Sequence, residues 1–169
     1  MKQNIDCSNL TFLIVDDNVH MRRIIRALVH SFGSRHILEA EDGAAGLEAF
    51  AIHAPHLVIT DWRMPILDGI ELTRMIRLGH AKSSPVTPII MVSGYSEQRT
   101  VLDASNAGVS DFLLKPISSK RLHQGITKAL SPKPKPAPPT EPPFGALERK
   151  APRPLPPTFF DDSVDAALA

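Results

Sequence analysis

Leu10-Thr11-Phe12-Leu13-Ile14-Val15 runs directly into Asp16-Asp17, an uncharged stretch that stops on two carboxylates. Three later stretches end in a comparable way. His56-Leu57-Val58-Ile59-Thr60 meets Asp61, Pro88-Ile89-Ile90-Met91-Val92 meets Ser93, and Asp111-Phe112-Leu113-Leu114 meets Lys115-Pro116. Short apolar runs separated by helix-period segments read as strands buried on both faces of a parallel sheet. In an open α/β sheet the carboxyl ends of the strands share one edge, and ligands bind there. Three carboxylates, a hydroxyl and an ammonium are therefore expected to converge although they lie far apart in the chain.

The pattern predicts strands near 10–15, 35–40, 56–60, 88–93 and 111–114. Helices are expected near 18–31, 43–53, 69–79, 97–107 and 118–130. Strand–helix alternation of this kind implies an α/β domain with helices on both faces of the sheet and right-handed crossovers. In the first helix Met21, Ile24, Ile25, Leu28 and Val29 recur at three- and four-residue spacing, which makes one apolar stripe. Arg22, Arg23 and Arg26 fall largely off it and read as a solvated face rather than a docking surface. Gly33 is placed to stop the helix.

Composition bounds the rest. The 169 residues leave room for one ordinary domain and an appendage. Net charge is +1. The chain carries 14 Lys/Arg against 13 Asp/Glu up to residue 130 and five of each beyond it. Neither part is polybasic, so charge offers no case for nucleic acid or a membrane surface. Cys7 is the single cysteine, which excludes an intrachain disulfide. The first residues lack the apolar core of a signal peptide, and no apolar run nears the ~20 residues that span a bilayer. A cytoplasmic location is the expectation.

Residues 131–157 hold eleven of the sixteen prolines, a composition that excludes helix or central strand and implies a disordered, semi-stiff linker. Within it Arg153-Pro154-Leu155-Pro156-Pro157 has the character of a polyproline ligand. Residues 158–169 pair Phe159 and Phe160 with Asp161, Asp162 and Asp165, the makings of a short docking segment. Its Ala166-Ala167-Leu168-Ala169 end vaguely resembles small-apolar tags recognised by bacterial proteases. An idle linker is the preferred reading of the tail.

The converging groups suit phosphoryl chemistry. An aspartate attacking phosphorus needs the surrounding negative charge neutralised, and a divalent metal bridging carboxylates and phosphoryl oxygens does this. An ammonium and a hydroxyl can serve the remaining oxygens. The set Asp16-Asp17, Asp61, Ser93 and Lys115-Pro116, together with Asp61-Trp62-Arg63-Met64-Pro65-Ile66-Leu67-Asp68-Gly69-Ile70-Glu71-Leu72, resembles the receiver domain of two-component response regulators. The resemblance covers about residues 9–130, within a domain set at 1–130.

That resemblance implies a flavodoxin-like (βα)5 fold with strand order 2-1-3-4-5. It implies that Asp61 accepts the phosphoryl and that Asp16, Asp17, Asp61 and the Arg63 backbone carbonyl hold Mg²⁺, with Asp17 a direct ligand and Asp16 acting through water. Lys115 and Ser93 complete the phosphoryl site, Ser93 and Phe112 act as the switch, and the peptide bond before Pro116 is cis. Arg63 and Tyr95 depart from many receivers and flank the path of the hydrolytic water, which makes them candidate modulators of phosphoryl lifetime. A sensor histidine kinase or histidine phosphotransfer protein is the implied donor. A protein target docking on the 97–130 surface, or onward phosphoryl relay, is the implied output. The expected activity is that of a stand-alone bacterial signalling switch rather than an enzyme with a separate substrate. Two alternatives use the same residues. One is a phosphorylation-independent docking module, which the intact acidic set argues against. The other is a phosphatase or phosphotransferase with Asp61 as nucleophile, for which the loops are too short to supply a substrate cap.

Overall fold

The computed structural model describes residues 6–79, 86–94 and 98–131. Tyr95 and residues 132–169, with the expected linker and terminal segment, lie outside that set. Among the described residues five strands, β1 (Thr11–Val15), β2 (His36–Ala40), β3 (Leu57–Asp61), β4 (Ile89–Ser93) and β5 (Asp111–Leu114), alternate with five helices. The helices are α1 (Val19–Ser31), α2 (Gly43–His53), α3 (Gly69–Arg77), α4 (Gln98–Ala107) and α5 (Ser119–Leu130). All strand pairs are parallel, in the order β2-β1-β3-β4-β5. This is the flavodoxin-like α/β arrangement the resemblance implied.

Burial explains why the runs are so uniformly apolar. β3 and β4 are buried throughout, and β1 is buried after its first residue, whereas the edge strand β2 is mostly open. Successive side chains on β1 serve opposite faces. Phe12 and Ile14 pack with Ile25 and Val29 of α1 and Leu122 and Ile126 of α5. Leu13 and Val15 pack with Phe50 of α2 and Leu72 and Ile76 of α3. A smaller cluster joins Ile70, Met91, Ala104 and Ala107, with Trp62 and Phe112 against it. Cys7 is buried beneath the first face, and burial, then the charge of Asp6, push its thiol up, consistent with an inert residue.

Helix ends are set by local chemistry. Asn18 caps α1 through its side-chain oxygen, and Asp68 and Glu71 form a reciprocal capping box on α3. Gly33 takes φ +99° immediately after the last turn of α1, where an L side chain is disfavoured. Gly69 answers a different need. A Cβ there would run into the Asp61 carbonyl oxygen, so the start of α3 can lie directly against the end of β3.

The loop between these elements contains one strained residue. Leu67 N–H donates to the Pro65 carbonyl at 2.8 Å, and the intervening Ile66 sits at φ +73°. This is a γ-turn of the rarer hand, and a β-branched residue there is a conformational outlier. Ile66 is 82% exposed, so burial does not compensate it. Ile66→Asn, which tolerates positive φ, is expected to raise stability by about 1 kcal/mol in urea unfolding; an unchanged midpoint would show that the turn is not strained.

Candidate functional site

Strand register delivers the site. Val15 pairs with Thr60, so Asp16 and Asp61 follow one step further along neighbouring strands. Asp61 lies opposite Val92, with Ser93 next, and Ser93 pairs with Leu114, with Lys115 next. Four groups from four strands thus reach one edge within a residue or two of the ladder's end. The Lys115 N–H donates to the Ser93 carbonyl at 2.7 Å, and the Lys115–Pro116 bond is cis.

The Lys115 ammonium stands between two carboxylates, 2.6 Å from Asp61 Oδ1 and 3.3 Å from Asp16 Oδ2. The other oxygen of each carboxylate is held by main chain. Arg63 N–H donates to Asp61 Oδ2 at 3.0 Å, and Asn18 N–H donates to Asp16 Oδ1 at 2.8 Å. Asp16, Asp61 and Ser93 are buried, whereas Asp17 is exposed beside them. The Arg63 guanidinium lies over the Trp62 ring, 4.5 Å from its centroid, a cation–π contact. Phe112 is half-buried on β5 and lines an open cavity of about 290 Å³ with Val101, Leu114 and Arg121.

Burial raises the Asp61 pKa above the ordinary carboxylate value, aided by the neighbouring Asp16, although Lys115 and the Arg63 N–H oppose the shift. For Lys115 burial acts in the lowering direction, but its hydrogen bond to Asp61 and the fields of Asp61 and Asp16 outweigh it and raise the pKa. The ammonium gains from two carboxylates, while Asp61 has lost water and faces a second negative charge.

Several supporting contacts were not legible as function. Arg22 Nη1 donates to the Asp16 carbonyl at 2.7 Å, and Arg22 and Arg26 both pair with Glu39 of β2. Arg23 and Arg26 are exposed, as expected of a solvated face, whereas Arg22 is not. Asn18 was hidden because a cap and a carboxylate donor look identical in sequence. Asp111 is buried at the start of β5 between Arg121 and Lys128, at 3.1 and 2.9 Å. Among the described residues no group of three or more His, Cys, Asp or Glu side chains is arranged to hold a metal ion.

Comparison with known proteins places this geometry in a class. Residues 12–127 match the response regulator receiver domain, and the chain belongs to that family. It is 38% identical over 119 residues to the chemotaxis protein CheY of Bacillus subtilis, covering 70% of this chain and 96% of that one. It is 32% identical over 120 residues to CheY-3 of Vibrio cholerae, covering 71% and 91%. A solved receiver domain from Clostridium thermocellum superposes with TM-score 0.64 at 27% identity, covering 71% of this chain and 93% of that one. The fold alone is shared with CheY4 of Vibrio cholerae, with TM-score 0.66 at 22% identity over 72% and 98%. Among the described residues no helix is long and apolar enough to cross a membrane.

The raised Asp61 pKa has a definite sign for stability. Between the ordinary carboxylate value and the raised one, the native state binds more protons than the unfolded chain, so stability falls as pH rises through that window. Above it the ionised Asp61 is a standing penalty. Asp61→Asn, which keeps a hydrogen-bonding side chain, should raise the melting temperature at pH 7 by on the order of 3 °C. The difference should shrink toward pH 4; a lower melting temperature at pH 7 would show that the Lys115 pair outweighs burial.

Proposed function

We propose that this response regulator is a phosphorylation-controlled switch in a two-component phosphorelay, with Asp61 as the phosphoacceptor. The observation that carries the reading is the Asp61 carboxylate at the sheet's carboxyl edge, 2.6 Å from the Lys115 ammonium that also meets Asp16. The donor is a sensor histidine kinase or a histidine phosphotransfer protein. An Asp61 carboxylate oxygen attacks phosphorus while the P–N bond breaks, its electron pair leaving with the imidazole. The Arg63 N–H and Lys115 aim the carboxylate before attack. Lys115 and the Ser93 hydroxyl then serve phosphoryl oxygens, so little reorganisation accompanies the charge transfer.

Mg²⁺ fits the donor set. Every available ligand is oxygen: Asp16, Asp17, Asp61 and the Arg63 carbonyl. Mg²⁺ needs only one or two carboxylates besides water and phosphate oxygens, so a ready-made three-carboxylate cage is not required. When bound, the ion supplies neutralisation of carboxylate and phosphoryl charge.

The output is protein docking or onward relay, with no nucleic acid partner and no separate substrate to turn over, in the cytoplasm. Ser93 moves toward the phosphoryl, and Phe112 turns inward behind it. The support is local: Phe112 lies opposite Met91 in the ladder and packs in the cluster that includes Ala104 and Ala107 of α4. Val101, Leu102 and Leu114 leave exposed apolar surface around it, at 40%, 63% and 47%, the kind of surface a partner covers.

Intact mass after incubation with acetyl phosphate and Mg²⁺ tests the reading. One added phosphoryl is expected, dependent on Mg²⁺ and absent in Asp61→Ala. Protein that stays unmodified, with Trp62 fluorescence also blind to beryllofluoride, would refute it. Arg63 and Tyr95 prolong the phosphorylated state, Tyr95 by shielding the phosphoryl and Arg63 by pairing with it or with an acidic neighbour. Arg63→Asn and Tyr95→Ala should each shorten the phosphoryl half-life; unchanged decay in both would remove them as modulators.

A further inference from the structure

Arg22 sits in an electrostatically unfavourable place. It is in the first turn of α1, where the helix dipole already supplies positive charge. It also stands beside the acidic pair, where a fixed cation repels any metal ion those carboxylates attract. Its side chain is only 14% exposed, so the charge is not simply solvated. Glu39 offsets it from 3.6 Å, but Arg26 holds the same carboxylate at 2.7 Å. What Arg22 does gain is one short hydrogen bond, from Nη1 to the Asp16 carbonyl at 2.7 Å.

That carbonyl belongs to the rigid amide joining Asp16 to Asp17. The Asp16 N–H is bound to the Ala40 carbonyl at 3.2 Å, and the Asp16 carboxylate is gripped by Asn18 and Lys115. Asp17 is exposed, so its direction is set by the backbone on either side of it. Asn18, its following neighbour, is fixed as the cap of α1. The amide preceding Asp17 is held from the helix side by Arg22.

We propose that Arg22 is a positioning residue for the cation site: it locks the Asp16–Asp17 amide and thereby aims the Asp17 carboxylate. This rests on the receiver reading above. It also has a sign that separates it from simple electrostatics. Loss of a nearby positive charge should tighten Mg²⁺ binding, whereas loss of an aiming contact should weaken it. Supporting residues of metal sites typically matter by about 10- to 100-fold in affinity.

The test is Mg²⁺ titration of the full chain followed by Trp62 fluorescence. Arg22→Met, which keeps much of the apolar stem and removes the donors, should weaken Mg²⁺ binding by about tenfold or more. Arg23→Met removes an exposed charge one residue further along α1 and should bind Mg²⁺ as the wild type does. Thermal melts establish that both variants are folded at the titration temperature. Binding by Arg22→Met that is as tight as wild type, or tighter, overturns the role of Arg22 alone. Equal weakening in Arg23→Met also overturns it, because the effect would then be one of helix charge. A wild-type protein whose Trp62 signal ignores Mg²⁺ and whose mass is unchanged by acetyl phosphate with Mg²⁺ defeats the phosphoacceptor reading on which this inference rests.

Discussion

Two carboxylates, Asp16 and Asp61, are buried on neighbouring strands, and a single ammonium is shared between them. Removing either carboxylate from water is unfavourable, and placing them together adds repulsion. Lys115 offsets part of this, and main-chain N–H groups from Asn18 and Arg63 serve the remaining oxygens. The raised Asp61 pKa shows that the compensation is incomplete. An edge left short of positive charge is one that the proposed divalent cation would complete. The rest of the molecule holds that partly compensated arrangement in place.

Rigidity comes from the sheet. β3 and β4 are buried on both faces, so a register slip of one residue would exchange whole layers of side chains between the two cores. The positions of Asp61 and Ser93 are therefore fixed by the packing of Ile59, Ile90 and Val92 rather than by contacts at the edge. Gly69 adds a constraint from the helix side, since only a residue without Cβ lets α3 abut the Asp61 carbonyl. Strain at Ile66 lies in the same short loop, and exposed loops beside a rigid scaffold are where such strain persists.

These parts were unequally legible in the chain. β1, β3 and β4 announced themselves because burial on both faces makes them short, continuous apolar runs bounded by polar residues, too brief for helices. The convergence at the strand ends followed from topology, and the roles of Asp61, Ser93 and Lys115 followed from the resemblance rather than from spacing. Arg22 was misread as part of a solvated face. Its place off the apolar stripe was real, but periodicity cannot reveal that a guanidinium folds back onto a carbonyl six residues earlier. The stacking of Arg63 on Trp62 was equally hidden, because adjacent residues in a loop do not declare their side-chain directions.

The contacts of α1 and of β5 suggest how the edge communicates in opposite directions. On one side Asp16 is tied through Arg22 and Glu39 to β2, an edge strand that nothing in the switch requires to move. On the other side the Lys115 N–H is bonded to the Ser93 carbonyl, and Arg121 joins Asp111 to the Phe112 carbonyl at 3.1 and 3.2 Å. In the proposed switch, a change at Ser93 would meet the fully buried β3 on one side and a linked strand and helix, β5 and α5, on the other. A phosphoryl can shift a conformational balance only by its differential affinity for the two states. The strand with half-buried Phe112 and exposed Leu114 has two surfaces to exchange; fully buried β3 has none.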